Sequence, residues 1–265
     1  MGYSEFDKRM KKYEYVTRTY LTTRTPVIIR IDGKAFHTFT RGFKKPFDSI
    51  LSKSMQETMK YLCENIQGCV FGYTQSDEIT LVLVDYQKLE TSAWFDYNVQ
   101  KCASVAASMA TMAFNKAFLL EVTGLIGDYN SYDENELPYY NSMADAMKKG
   151  AVFDARVFNI PKEEVCNNIY WRQQDAIRNS IQMVGHANFS DKQMHRKTIN
   201  QVRDMLMNEK GIDWDGIPTK YKYGSCCVRV SNEETNRTEW VINDEMPILK
   251  GEDRLYVDNL IFVGE

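Results

Sequence analysis

Short apolar segments alternate with longer amphipathic ones in this chain, and their order constrains the fold more than any other feature. Residues 27–31 read Val-Ile-Ile-Arg-Ile and end at Asp32-Gly33, a pattern typical of a strand followed by a turn. Residues 69–73 and 79–84 are similarly apolar and flank a short polar stretch, which predicts a β-hairpin. A fourth strand is predicted over residues 151–158.

Helical spacing of apolar residues separates these strands. An amphipathic helix that begins near Asp48 is predicted over residues 47–66, because apolar residues recur there at three- and four-residue intervals. Residues 92–120 are rich in Ala and Met and contain no Gly or Pro, so we predict one long, largely buried helix there. Two further helices are predicted over residues 162–184 and 191–208.

The order helix, strand, helix, strand, strand, helix, strand predicts the fold class. It is that of an α+β, ferredoxin-like antiparallel sheet with flanking helices, in which the central hairpin lies beside the first strand. We predict a single unit over residues 1–265, with its core in residues 1–160 and an irregular insertion at 124–149. Residues 161–265 are predicted to add helices and a hairpin that pairs 225–230 with 238–242.

Composition excludes several classes of protein. With 265 residues and 43% hydrophobic content the chain can bury a full core, and its net charge of -3 means that nucleic acid would have to bind through a local basic surface. Its six cysteines form no CxxC pair and no zinc-ligand spacing. Because we find neither a signal-peptide pattern nor an uninterrupted apolar span, we expect a cytoplasmic protein with no membrane segment.

Acidic residues follow two of the predicted neighbouring strands. Asp32 ends the first strand, and Asp77 and Glu78 lie in the predicted hairpin turn, so the fold would bring both positions together. Mg²⁺ prefers oxygen ligands, and two such ions assist phosphoryl transfer. Asp32, the Gly33 carbonyl and Asp77 would supply these oxygens, with Glu78 as a further ligand or neighbour. The alternative is that the Asp-Gly and Asp-Glu pairs merely make turns.

Four sequence motifs extend this interpretation. They are Arg-Ile-Asp-Gly-Lys-Ala-Phe-His at 30–37, Phe-Lys-Lys-Pro-Phe-Asp at 43–48, Gly-Tyr-Thr-Gln-Ser-Asp-Glu at 72–78 and Trp-Arg-Gln-Gln-Asp at 171–175. In order and spacing they resemble the motifs of the tRNA-His guanylyltransferase family, over residues 27–224. The resemblance implies a polymerase/cyclase-type palm and a nucleotidyltransferase that adds nucleotides to the 5′ end of tRNA in the 3′-to-5′ direction.

The resemblance also implies roles for individual residues. It implies that Asp32, the Gly33 backbone and Asp77 bind two Mg²⁺ ions as cofactors and that Glu78 completes the catalytic set. The nucleotide-binding residues that it implies are Gly33, Lys34, Ala35, Phe36, His37, Lys45, Ser76, Lys101 and Arg156. Lysine and arginine at such positions would balance the charge of a triphosphate. Lys101 has an alternative as a solvated helix residue, and Arg156 as a paired structural arginine.

The stretch after Trp-Arg-Gln departs from the eukaryotic members of the family. Where those carry His-Ile-Asn-Asn-Leu-Tyr-Asn, linked to selectivity for tRNA-His, residues 177–183 of this chain have neither the His nor the Tyr. The chain resembles instead the Thg-like branch of bacteria, archaea and some viruses. That resemblance implies template-dependent repair of the 5′ end of tRNA or tRNA-like RNA, of which G addition to tRNA-His would be one case.

The expected reaction uses ATP or GTP to activate a 5′-monophosphorylated RNA end, which the 3′-hydroxyl of an incoming NTP then attacks. We expect Arg172 and Arg178 to contact the RNA. The resemblance further implies a homotetramer that shares one tRNA between subunits. Two other functions stay open at this point: a nucleotide cyclase on the same palm, and a non-catalytic RNA-binding protein.

Overall fold

A six-stranded antiparallel sheet lies at the centre of the protein, in a computed structural model that describes residues 4–127, 133–232 and 237–264. Its strands lie in the order β4-β1-β3-β2-β5-β6. They are β1 (Val27–Gly33), β2 (Cys69–Gln75), β3 (Glu78–Leu83), β4 (Phe153–Asn159), β5 (Ser225–Asn232) and β6 (Arg237–Asn243). The order of the first four strands is that of a ferredoxin-like sheet, so the predicted α+β fold class is confirmed.

Helices cover both faces of this sheet. They are α1 (Glu5–Tyr15), α2 (Phe36–Phe39), α3 (Ser49–Asn65), α4 (Val99–Gly127), α5 (Leu137–Lys149), α6 (Lys162–Asn188), α7 (Asp191–Met194), α8 (Ile199–Lys210), α9 (Thr219–Tyr223) and α10 (Leu255–Ile261). Short 3-10 turns occur at Trp94–Tyr97, Glu134–Glu136, Trp214–Gly216 and Gly251–Arg254. α3 begins where predicted, because the Asp48 side chain caps it by accepting a hydrogen bond from the Leu51 amide.

Alternation along β1 gives the sheet two different faces. Val27, Ile29 and Ile31 belong to the core that the sheet forms with α3 and α4. Ile28 belongs to a second core, to which α6 and α10 contribute. Side chains two residues apart share a face of a strand, so Arg30 and Asp32 continue this second face. The polar end of β1 therefore lies on the side of the sheet that α6 covers.

The segment predicted as an irregular insertion, 124–149, is largely helical, so that prediction is wrong. α4 continues to Gly127, and α5 covers Leu137–Lys149 with Tyr139, Tyr140 and Met143 buried; residues 128–132 lie outside the described part of the chain. Pro138 misled the interpretation, because proline is tolerated in the first turn of a helix.

Two predicted helices are each divided. Asn98 separates the turn Trp94–Tyr97 from α4, and its side chain accepts a hydrogen bond from the Lys101 amide at 2.9 Å. Between α7 and α8, Arg196 has a φ of 58°, which lies outside the helical range. Thr198 then starts α8 with a capping box. The apolar period continues across both breaks, so periodicity alone could not locate them.

Helix α4 is apolar in composition but only partly buried. An 18-residue window of it has a mean hydropathy of 1.2 and is long and apolar enough to span a bilayer by composition alone. Its Cys102, Ala106, Phe114 and Phe118 pack into the core under the sheet. Only 28% of that window is buried, and Leu120 is exposed, so the prediction of a largely buried helix is wrong.

The C-terminal part of the chain extends the same sheet. β5 pairs with β2 and β6 pairs with β5, so the sheet runs across the boundary predicted at residue 160. Beyond β4, α6 and α8 enclose a separate small core that contains Ile181, Val202 and Trp214. The predicted hairpin therefore joins the palm-like core at the edge strand β2, where three residue pairs connect β2 to β5.

Candidate active site

Three acidic residues lie side by side across the sheet. Asp32 of β1 is directly opposite Glu78 of β3 on one side and Asp154 of β4 on the other. Residues directly opposite each other in an antiparallel pair share a face, and like charges in that arrangement repel. The Gly33 amide also donates a hydrogen bond to the Asp77 carbonyl at 3.1 Å, which fixes the hairpin turn against the end of β1. Negative charge is therefore concentrated at this end of the sheet.

Two arginines compensate the charge of Glu78. Its side chain is buried and lies 2.7 Å from Arg30 Nη2 through Oε2 and 2.9 Å from Arg172 Nε through Oε1. Burial raises the pKa of Glu78, while the positive charges of Arg172 and Arg30 oppose that rise. A carboxylate held in this way is directed at guanidinium groups, so we interpret Glu78 as a positioning residue beside the predicted ligands.

The hairpin turn positions Asp77 as predicted. Gln75 pairs with Glu78, which leaves Ser76 and Asp77 as a two-residue turn. Ser76 has a φ of 50°, a strained conformation for a residue other than glycine, and its hydroxyl donates to Asp77 Oδ1 at 3.1 Å. Burial raises the pKa of the Asp77 carboxyl, and the nearby charge of Asp32 adds to that effect. The two carboxylates are thus close enough to influence each other.

These groups fit a divalent cation with hard oxygen ligands. Within residues 4–127, 133–232 and 237–264, no three His, Cys, Asp or Glu side chains converge into a preformed metal centre. Mg²⁺ needs no such cage, since it binds through one or two carboxylates and keeps several water molecules. Asp32 and Asp77 supply two carboxylates whose repulsion a cation would relieve. The six cysteines are free and buried.

A cleft of about 370 Å³ opens beside Asp77. Five residues from the predicted site line it together: Phe36, His37, Lys45, Ser76 and Asp77. Pockets of 300 to 1,000 Å³ are typical of small-molecule sites. The structure therefore brings the predicted nucleotide loop, a lysine and the acidic turn around one space of suitable size.

The wall of this cleft is built by an unusually close backbone approach. A side chain on Gly33 would place its Cβ only 2.2 Å from the Phe36 ring, so any residue other than glycine would force that ring to move. Phe36 is buried with its ring centroid 5.2 Å from that of Phe153 and 5.1 Å from that of Phe39. Lys34, Ala35 and His37 remain exposed around it. Phe36 thus anchors the loop while its neighbours face solvent.

Lys101 is not brought to this cleft. It lies near the start of α4, which is hydrogen-bonded to the segment that precedes β1: the Leu21 amide donates to the Tyr97 carbonyl, and the Val99 amide donates to the Thr19 carbonyl. The part of α4 near the Asp32 end is Thr111, whose hydroxyl accepts from the Phe153 amide at 3.2 Å. Ten helical residues separate the two positions by about 15 Å. Within one chain, Lys101 is remote from the carboxylates.

The three predicted arginines have different surroundings. Arg156 is exposed and directly opposite Arg30, two register positions from the pair of Asp32 and Asp154. Arg178 is half exposed and forms an ion pair with Asp175. Arg172 is 4% exposed and forms ion pairs with Glu78 and Asp175, so its burial does not fit the RNA contact that we predicted for it.

Sequence reasoning missed Arg30, Asp154 and Trp171 as individual site residues. Arg30 and Trp171 lie inside recognised motifs, but no pattern showed that strand β1 and helix α6 bring them together, with the guanidinium 5.8 Å from the ring centroid. Asp154 lies in a strand that is more than 100 residues away from β1 in sequence. The register that pairs it with Asp32 is a tertiary property, which alternation within a single strand does not determine.

A ferredoxin-like sheet with paired carboxylates beside a nucleotide-sized cleft defines a palm-type nucleotidyltransferase. The sequence model of the tRNAHis guanylyltransferase family matches residues 7–161. The chain belongs to the tRNA-His guanylyltransferase family. The predicted family and enzyme class are thereby confirmed.

Solved structures and curated sequences give the same result. A bacterial tRNA(His) guanylyltransferase (Thg1)-like protein in complex with ATP is 40% identical, with a TM-score of 0.82 over 98% of this chain and 100% of that one. Another such structure, in complex with GTP, is 36% identical with a TM-score of 0.75 and the same coverage. An uncharacterized protein of Acanthamoeba polyphaga mimivirus is 30% identical over 82% of this chain and 74% of its own length. The tRNA(His) guanylyltransferase of Schizosaccharomyces pombe is 24% identical over 98% of this chain and 92% of its own.

Proposed function

We propose that the protein adds nucleotides to the 5′ end of tRNA or tRNA-like RNA in the 3′-to-5′ direction, guided by the opposite strand. The observation that carries this proposal is that Asp77, which is close to Asp32, lines a cleft together with His37, Lys45 and Ser76. The ATP and GTP complexes of the similar bacterial proteins support a triphosphate as the occupant of that cleft.

Two nucleotidyl transfers make up the proposed reaction. First, an oxygen of the RNA 5′-monophosphate attacks the α-phosphorus of ATP or GTP, and pyrophosphate leaves. The 3′-hydroxyl of an incoming NTP then attacks the phosphorus of the former 5′-monophosphate, its proton is released, and AMP or GMP leaves. The chain is extended by one nucleotide, which carries the new 5′-triphosphate.

The residues of the cleft would bind and orient the reactants. Lys45 lies where it can pair with the triphosphate, and His37 and Ser76 can donate hydrogen bonds to it. Asp32, the Gly33 carbonyl and Asp77 would hold two Mg²⁺ ions. When bound, such ions neutralise phosphate charge and make the attacking oxygen a better nucleophile. Glu78, held by Arg30 and Arg172, would keep the strand end that carries these ligands in place.

The nucleotide would be selected by pairing with the opposite RNA strand, because a protein pocket alone discriminates by only a few kcal/mol. The absence of the His-Ile-Asn-Asn motif from residues 177–183 supports repair of varied tRNA ends over strict recognition of tRNA-His. A tRNA is large relative to one chain of 30.8 kDa, so we propose a cytoplasmic homotetramer in which subunits share the RNA.

The test is an extension assay on tRNAs that lack their first 5′ nucleotides. With Mg²⁺ and NTPs we expect addition of the nucleotides that complement the 3′ strand, and none with Asp77→Ala. A wild-type protein that leaves every such RNA unchanged would contradict the proposal. A cyclic nucleotide formed from ATP or GTP alone would instead identify a cyclase, and normal cellular function with Asp77→Ala would identify a non-catalytic RNA-binding protein.

A further inference from the structure

One tryptophan of this protein is exposed at the edge of the site. The chain has four tryptophans, and three of them are almost fully buried: Trp94 at 7%, Trp214 at 4% and Trp240 at 8% exposed. Trp171, on α6, is 50% exposed. A large aromatic side chain gains much from burial, and this exposed one lies next to Arg172, which forms an ion pair with Glu78.

Two arginines lie against the Trp171 ring. The Arg172 guanidinium lies 4.2 Å from the centroid of its ring, and that of Arg30 lies 5.8 Å from it. Both arginines form ion pairs with Glu78, at 2.9 Å and 2.7 Å respectively, and Arg30 also donates a hydrogen bond to it. These contacts restrict the indole, which lowers the entropy cost of stacking a ligand on it.

Arg30 links Trp171 to an exposed part of the sheet. On β4, Asp154 and Arg156 are both exposed, and Arg156 is directly opposite Arg30. Along β1, Asp32 is two residues beyond Arg30, a distance of about 7 Å. We call Trp171 and Arg156 the β4 platform. It adjoins the carboxylates but does not line the cleft that holds His37 and Lys45.

We propose that the β4 platform binds the 5′-terminal nucleotide of the RNA, with its base stacked on Trp171 and its phosphate near Arg156. This inference rests on the proposed function. A flat indole next to guanidinium groups suits a nucleobase, since base stacking tolerates any sequence and arginine pairs with phosphate. Template-directed repair needs that tolerance, because the end to be extended differs from one RNA to the next.

An RNA strand fits this surface better than a second free nucleotide. Arg178 lies seven residues beyond Trp171 on the same face of α6, about 10.5 Å along the helix. Its side chain is 52% exposed. A polynucleotide can contact both positions at once, whereas one nucleotide would touch only the platform.

Tryptophan fluorescence tests the contact directly. Acrylamide should quench Trp171 in the free protein and spare the three buried tryptophans. We expect a 5′-phosphorylated, 5′-truncated tRNA at saturating concentration to protect this signal, and Trp171→Phe to abolish the protectable component. Full quenching of Trp171 while gel shift shows the RNA to be bound would overturn the inference. Equal protection by ATP and Mg²⁺ without RNA would show that the surface binds a free nucleotide. If Trp171 is protected in RNA-free protein and dilution removes that protection, the surface binds a second copy of the chain.

Kinetics provide the second measurement. Trp171→Ala should raise the KM for RNA by about 10-fold and leave the KM for ATP unchanged, since stacking of one base contributes that order of affinity. Trp171→Phe keeps an aromatic face and should stay within about 3-fold of wild type, which separates stacking from loss of fold. If both variants lose activity equally, or if only the KM for ATP rises, the inference is wrong. A wild-type protein that binds RNA and protects Trp171 but never extends the RNA would contradict the proposed function and leave this contact intact.

Discussion

Arg172 of α6 reaches across to Glu78 of β3, with its Nε 2.9 Å from Oε1. Through this ion pair the helix that carries the Trp-Arg-Gln motif is joined to the strand next to Asp32. Arg30 holds the other carboxylate oxygen of Glu78 at 2.7 Å. Two arginines thus neutralise Glu78, whereas neither Asp32 nor Asp77 forms an ion pair within 4.0 Å with a basic side chain among the residues that the structure describes.

Replacement of Arg172 by alanine should destabilise the fold by about 3 kcal/mol, because it leaves a buried carboxylate with one of its two cations. Urea denaturation of Arg172→Ala, Glu78→Gln and the double variant measures the effect. We expect a coupling energy of about 1 to 3 kcal/mol between the two positions. Simple additivity of the two single variants would show that the ion pair does not hold α6 on the sheet.

Asp32→Asn should separate activity from stability. The change removes the charge that faces Asp154 and Glu78, so in the presence of EDTA the melting temperature should stay level or rise by about 1 to 3 °C. Activity should fall by at least ~100-fold, and added Mg²⁺ should stabilise the variant less than the wild type. The measurement is thermal unfolding with and without Mg²⁺, beside the extension assay. A variant that unfolds easily in EDTA would mean that Asp32 is structural.

The sequence was sufficient to predict the strands, the fold class and the location of the acids at strand ends. These follow from the local periodicity of apolar residues and from the order of the helices and strands. It could not predict that Glu78 is neutralised or that Arg172 is buried. Both facts depend on the way α6 packs over β1 and β3. The Trp-Arg-Gln motif alone does not determine which of its side chains faces the sheet.

Lys101 illustrates a second limit. Its helix was predicted, but which end of α4 approaches the carboxylates depends on how the helix runs along the sheet. Thr111 and Asn115, not Lys101, contact the segment before and within β4. Asp154 was missed for a related reason, because its pairing with Asp32 follows from strand register.

Gly33→Ala should disturb the nucleotide loop. Its new Cβ would lie 2.2 Å from the Phe36 ring, which must then leave its contacts with Phe39 and Phe153. We expect a loss of about 1 to 3 kcal/mol of stability and weaker binding of ATP, measured by urea denaturation and by calorimetry. Gly124→Ala is the matched control. No atom lies within 4 Å of that new Cβ in α4, so it should be neutral or stabilising. Equal behaviour of the two variants would refute the role given to the Phe36 contact.

A pair of lysine variants tests which lysine serves the cleft. Lys45 lines it together with Ser76 and Asp77. Lys45→Ala should therefore raise the KM for ATP by about 10-fold, because one charge-assisted hydrogen bond contributes binding free energy of that order. Lys101→Ala should leave that KM within about 2-fold, because Lys101 lies near the opposite end of the sheet and its ammonium group is 5.0 Å from the Phe95 ring centroid. Both side chains are exposed, so neither change should affect the melting temperature. An increase in KM with Lys101→Ala, at unchanged stability, would show that a second subunit delivers this lysine to the site and would support the tetramer that we propose.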